Sequence, residues 1–221
     1  MQFKSLTSLY RMIVIAVEIA MAAEILVLAA NGRWMQVSLV LGLMALIGYS
    51  ALPSEDGHPF VPVEIQIFST LFVFATLFLG EVRDFYEKIW WWDLALHGSS
   101  GFLLGLLGFL VLYLLNESAV VNFRMRPAFL ALFAYFFSIG LGAMWEIFEF
   151  AMDQLAGTTM QKPMFDDPSG LTDTMWDLII DATGAILASG MGWIYIHRAR
   201  SRGKIDWLAR FAARYPNMFA S

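Results

Sequence analysis

Residues 90–101 read WWWDLALHGSSG. Three consecutive tryptophans mark the depth of a membrane–water interface, where amphipathic rings collect. The apolar run that follows them is the start of a membrane helix. Asp93 and His97 stand inside that start, four residues apart and therefore on one helical face. An acid and an imidazole placed where hydrocarbon begins require partners, and the search for those partners sets the reading of the whole chain.

The surrounding composition is that of a membrane protein. Of 221 residues, 59% are hydrophobic and 15% charged, well away from the soluble average. A spanning helix needs about 20 apolar residues, and six stretches qualify, at about 9–30, 34–52, 63–79, 93–115, 127–153 and 173–196. The breaks between them carry turn formers: Asn31-Gly32, Pro53 to Pro59, Asn116 to Arg126, and Gly157 to Gly170. The expected fold is an all-α polytopic bundle of six transmembrane helices, a single integral membrane domain over 1–221. The first segment is too long for a signal-peptide core and contains Glu18 and Glu24. The chain has no cysteine, so disulfides and thiolate metal sites are excluded.

Basic residues collect on the cytoplasmic side of membrane proteins. Ten of the 14 lie at the amino end, in the loop after the fourth segment, or in the tail; Arg33, Arg83, Lys88 and Lys162 fall on the other side. Both termini are therefore expected in the cytoplasm. The stretch 204–215 sets Ile205, Leu208, Phe211 and Ala212 at helical spacing among bases, and is expected either as an interfacial helix on the anionic inner surface or as a plain solvated tail. The bilayer is the expected partner, and no nucleic-acid partner is expected.

With that orientation, three helix ends deliver acids to the outer side where Asp93 and His97 sit. MWEIFEFAMD supplies Glu146, Glu149 and Asp153; DTMWDLIID supplies Asp173, Asp177 and Asp181. Both sets keep to one helical face. A rise of about 1.5 Å per residue places Asp93, Asp153 and Asp173 at a rim, His97, Glu149 and Asp177 roughly 6 Å deeper, and Glu146 and Asp181 roughly 10–12 Å deep. A charge there costs roughly 2.5–3.5 kcal/mol on insertion scales. No Lys or Arg lies within 93–123, 127–161 or 163–197, so these helices cannot neutralise their own acids. Either several carboxyls are protonated through mutual repulsion or cations are bound. Asp93, His97, Glu149 and Asp177 are the expected ligands of a divalent metal, Mg²⁺, Mn²⁺ or Zn²⁺, with Glu146 and Asp181 as catalytic carboxylates. For Asp153 and Asp173 a structural role, as a helix-end acid and an N-cap, stands level with a functional one. Glu24 is a further candidate for the cluster. His58 and His197 are expected on the cytoplasmic side, out of its reach.

Glycines at 101, 105 and 108, and Gly184, Ala188 and Gly192, follow the small-residue spacing that lets membrane helices approach closely. The three motifs together, W-W-D-x-x-x-H, W-E-x-x-E-F-x-x-D and D-T-x-x-D-x-x-x-D-x-x-G-A, resemble the YjdF-like family of bacterial inner-membrane proteins; the resemblance runs from about Gly80 to Gly192. The layout is similar, more loosely, to VanZ-like proteins associated with glycopeptide resistance. Family resemblance implies a bacterial inner-membrane location and no particular reaction. The residues themselves suit a metal-dependent hydrolase or transferase acting on a lipid-linked phosphate or envelope lipid. A cation or proton-coupled transporter and a structural or regulatory partner locked by its metal are the other two expectations.

Overall fold

The computed structural model describes residues 2–52, 63–117, 125–165 and 167–202. Among these it is helical throughout, with one isolated bridge between Met164 and Asp167. The helices are α1 (Gln2–Ala30), α2 (Trp34–Ser50), α3 (Val63–Val73, continued by a π-helical segment, Phe74–Val82), α4 (Phe85–Lys88), α5 (Trp92–Glu117), α6 (Pro127–Ala156) and α7 (Leu171–Arg202). Five helical stretches are long and apolar enough to cross a membrane: Leu6–Ala30, Val63–Val82, Trp92–Leu112, Pro127–Ala156 and Leu171–Arg198. The expected second span is the 17-residue α2, about 25 Å long against a hydrocarbon core of about 30 Å.

Most helices run past the apolar stretch that signals them, because backbone hydrogen bonding continues after hydropathy stops. α6 begins with Pro127 at its first position, where the missing N–H costs nothing. It ends at Ala156, three residues after Asp153, and is stopped by Gly157, whose φ of 66° is a left-handed conformation that glycine adopts without strain. α7 starts at Leu171, so Asp173 is the third residue of the helix rather than its N-cap. The stretch 204–215 lies outside the described residues.

The helices fall into two compact units, one ending at Trp92 and one starting at Asp93. In the first, α1 buries Tyr10, Val14, Val17, Met21 and Leu28, and α2 buries Val37, Val40, Leu43 and Ile47. Both sets repeat every three or four residues, the period of one helical face. Val63, Phe78 and Val82 complete this core. The third segment, expected to end at Leu79, continues to Val82 with π geometry. Arg83 follows it and pairs with Glu24 at 2.7 Å, so Glu24 has a partner of its own inside this unit.

In the second unit α5, α6 and α7 meet through glycine. A Cβ at Gly101 would stand 2.7 Å from the Asp181 Cα, and one at Gly184 would meet the backbone of Gly98 and Phe102. A Cβ at Gly105 would stand 2.9 Å from that of Ala188. Backbone-to-backbone approach of this kind brings α5 and α7 together in a solvent that offers no hydrophobic drive between helices. Ser138 of α6, fully buried, donates to the Gly101 carbonyl at 2.7 Å. Beyond this level the interior is apolar, with Phe109, Leu112, Leu130, Ala134 and Ile196 packed together.

Candidate metal centre

His97 stands at the centre of the acids of the second unit. Its Nε2 lies 3.8 Å from Asp93 Oδ1, 3.7 Å from Glu146 Oε1 and 3.8 Å from Asp177 Oδ2. Its Nδ1 lies 3.3 Å from Asp181 Oδ2. Three carboxylates thus converge on one ring nitrogen and a fourth holds the other. α5 supplies the histidine and Asp93 one turn apart, α6 supplies Glu146, and α7 supplies Asp177 and Asp181 one turn apart.

Burial and pairing separate these groups. Asp177 is fully buried, Asp181 and Glu146 nearly so, while the Asp93 side chain keeps 21% of its surface exposed. Both oxygens of Asp177 and both of Glu146 are buried without a hydrogen-bond partner among the described residues. Native structures rarely leave such oxygens orphaned, and an ion is one standard reason. Asp93, His97 and Asp177 each offer one ligand atom, all within 4.8 Å of one another. Two ligands about 2.1 Å from one tetrahedral ion sit about 3.4 Å apart, so the 3.8 Å spacings from His97 to Asp93 and to Asp177 would close by a few tenths of an ångström, and the spacing between the two carboxylates, within 4.8 Å, by up to about 1.4 Å. The donor set, one imidazole and several carboxylates, is one that Zn²⁺ and Mn²⁺ accept.

Other expected members of the cluster sit differently. Glu149 is buried, and its Oε1 accepts from the Trp145 indole N–H on its own helix at 2.8 Å. Glu146, expected one layer deeper, lies 3.7 Å from His97 Nε2. Asp153 accepts from the Thr158 hydroxyl and from the backbone N–H groups of Met160 and Gln161. Asp173 accepts from the backbone N–H of Lys162 at 2.7 Å, with its other oxygen buried and unpaired. Both acids tie the α6–α7 loop onto the helix ends. In that loop Asp167 accepts from the hydroxyls and N–H groups of Ser169 and Thr172, and these bonds hold its carboxyl well below the usual carboxylate range. His197 stacks on Trp193, and His58 lies outside the described residues.

Two contributors carry no conspicuous sequence signal. Ser100 donates to the His97 carbonyl at 2.8 Å and lies 3.3 Å from Asp181 Oδ1; its spacing of three from His97 was the available clue. Gly142 lies against the Asp181 carboxylate, which a Cβ there would strike.

The chain is similar to an uncharacterized protein of Thermotoga maritima, 29% identical over 153 residues that cover 69% of this chain and 71% of that one. No solved structure matches it. These matches lend no support to the looser likeness to VanZ-like proteins. The family described as "Predicted membrane protein (DUF2238)" matches residues 9–198, nearly the whole membrane portion and every residue of the centre around His97, and the chain belongs to that family.

Proposed function

We propose that this YjdF-like protein is a bacterial inner-membrane enzyme with a divalent-metal centre, hydrolysing or transferring a phosphate or ester group of a lipid-borne substrate. The observation that carries the reading is the set of four oxygens, two on Asp177 and two on Glu146, buried beside His97 Nε2 with no Lys or Arg within 93–123, 127–161 or 163–197 to neutralise them. Burying such charge unpaired is costly, and a bound cation removes the cost. Asp93, His97 and Asp177 are the leading ligands, with Mn²⁺ or Zn²⁺ favoured over Mg²⁺ because imidazole suits the first two better. Glu149 is a reserve ligand, since Trp145 engages only one of its oxygens. A metal held there would polarise a phosphate or ester oxygen and supply an acidic bound water. Glu146, 3.7 Å from His97 Nε2, would take the proton. The partly exposed edge is at Asp93, directly after the tryptophan run, which puts access at headgroup depth.

Transport is the second reading and is supported less. A path needs polar groups at successive depths, whereas among the described residues the buried side chains beyond Asp181 on α7 and Ser138 on α6 are Ala134, Leu130, Ala185, Ala188, Ile196 and the polar Ser189. The same orientation argument that places the centre on the outer side takes α2 as a sixth, short span, so that both termini are cytoplasmic.

Elemental analysis of protein purified without chelators tests the core of this reading. About one equivalent of divalent metal is expected, lost in the His97→Ala, Asp177→Asn double variant. Metal-free wild type, or metal retained by the double variant, overturns the assignment; a stoichiometric metal with no turnover of lipid-linked phosphates leaves it a structural lock between helices.

A further inference from the structure

We infer that Asp181, with Ser100 behind it, is a positioning residue that fixes the proton of His97 on Nδ1 and so aims the Nε2 lone pair at the site between Asp93, Glu146 and Asp177. The inference rests on the metal reading above and assigns Asp181 a role that acts through the histidine.

The geometry divides the four carboxylates by ring nitrogen. Asp93, Glu146 and Asp177 all approach Nε2, at 3.7–3.8 Å, and Asp181 alone approaches Nδ1, at 3.3 Å. An ionised carboxylate only accepts hydrogen bonds. With Asp181 ionised, the contact places the proton on Nδ1, and the neutral ring then presents Nε2 as its acceptor. A metal-bound histidine is commonly oriented this way, its second nitrogen donating to a carboxylate that sets both tautomer and ring plane. Asp181 faces His97 through Oδ2, and its Oδ1 lies 3.3 Å from the Ser100 hydroxyl. The one proton of the Ser100 hydroxyl goes to the nearer His97 carbonyl, at 2.8 Å, which fixes Ser100 on α5 beside the Asp181 carboxylate of α7.

The packing agrees with this assignment. Glycines crowd Asp181: Gly101 of α5 lies under its backbone and Gly142 of α6 against its Oδ2. A side chain at either position would push the carboxylate off the imidazole. Asp177, one turn nearer the helix start, has neither oxygen bonded. Two aspartates on one face of α7 are thus in different states, one consumed by the histidine and one left open toward the cation.

The test uses the full chain in detergent, loaded with Zn²⁺, comparing wild type with Asp181→Ala, Asp181→Asn and Ser100→Ala. Zn²⁺ affinity is measured by chelator competition, and the His97 Nδ1 proton is followed by NMR of protein labelled at its three histidines. Asp181→Ala is expected to weaken Zn²⁺ roughly 10–100-fold, the range for lost outer-shell partners, and to move the Nδ1 proton resonance upfield. Asp181→Asn, whose amide oxygen still accepts from Nδ1–H, is expected to lose only a few-fold and to keep the resonance near its wild-type place. Ser100→Ala should fall between. Should Asp181→Ala fail to fold, the asparagine and alanine variants at 181 and 100 still decide the matter. Asp181→Asn losing as much as a direct ligand would, or an Asp181→Ala protein binding Zn²⁺ like wild type, overturns the positioning role. Wild type that binds no Zn²⁺ overturns instead the metal reading beneath it.

Discussion

Gly184→Ala tests whether glycine contact between α5 and α7 assembles the centre. A Cβ at this position would meet the Gly98 carbonyl oxygen, stand 2.7 Å from the Phe102 nitrogen and 3.2 Å from the Gly101 carbonyl carbon. All three are backbone atoms, so no side chain can swing aside and the helices must part, by about 1 Å at the Gly98 oxygen, to restore ordinary contact of about 3.4 Å. Overpacking of a tight contact costs about 1–3 kcal/mol, and rigid backbone on both sides argues for the upper end. Replacing a helical glycine with alanine returns about 1 kcal/mol of propensity, leaving a net loss of about 2 kcal/mol. For a chain of this size that is about 4–8 °C in melting temperature. The same movement carries His97 away from Asp181, whose 3.3 Å contact has little room to lengthen, so metal retention should fall together with stability. Gly190→Ala on the same helix is the control: nothing lies within 4 Å of its Cβ position, and it should gain up to about 1 kcal/mol from propensity alone. Melting in detergent, followed with metal content, reads both. Gly184→Ala melting level with wild type and with Gly190→Ala, its metal intact, would refute the claim that this contact sets the centre's geometry.

The loop and the membrane sidedness give two further tests. Asp167 is held below its ordinary range by four hydrogen bonds, so its contribution is present above the unfolded carboxyl value of about 3.9 and is lost only as pH falls through the lower folded value; hydrogen exchange at the Ser169 and Thr172 amides should stay protected from pH 7 down to about 4 and lose protection in Asp167→Ala at any pH, whereas wild-type loss in the ordinary carboxylate range would contradict the bonding. Phe165 is exposed in the α6–α7 loop and the chain has no cysteine of its own, so Phe165→Cys in intact cells should react with an impermeant maleimide from outside; labelling only after lysis would place loop and metal centre on the cytoplasmic side.

The helical fold was readable because membrane spans announce themselves by length and hydropathy alone, and the convergence of α5, α6 and α7 followed from acids that have no basic partner. Sequence spacing set Asp93 beside His97 and Asp177 beside Asp181 correctly, since one turn of helix leaves no other arrangement. It did not show that Glu146 rather than Glu149 meets the histidine. The two differ by three residues on one face, and the choice turned on an indole N–H at i−4, Trp145, that claims Glu149. Nor did it show which glycine matters most to the carboxylates. Gly101, Gly105 and Gly184 fit a small-residue pattern, but Gly142, the one against the Asp181 side chain, lies on α6, outside that set.

Asp173 and Asp177 expose the deeper reason. They stand four residues apart on one face of α7, both buried, and nothing in the local sequence distinguishes them. What separates them is a backbone amide: the Lys162 N–H reaches Asp173 Oδ2 at 2.7 Å, while no hydrogen-bond donor among the described residues reaches either oxygen of Asp177. Where an amide arrives depends on the path of the α6–α7 loop, which turns through positive φ at Gly157, Phe165 and Gly170. Two of those turns are signalled by glycine; the third, at a phenylalanine, is not. Asp153 strengthens the same connection, gathering Thr158, Met160 and Gln161 so that Lys162 comes into register with Asp173. The loop therefore decides which acids receive a backbone donor: Asp173 at the rim takes one at Oδ2, and Asp177, one turn deeper, takes none among the described residues.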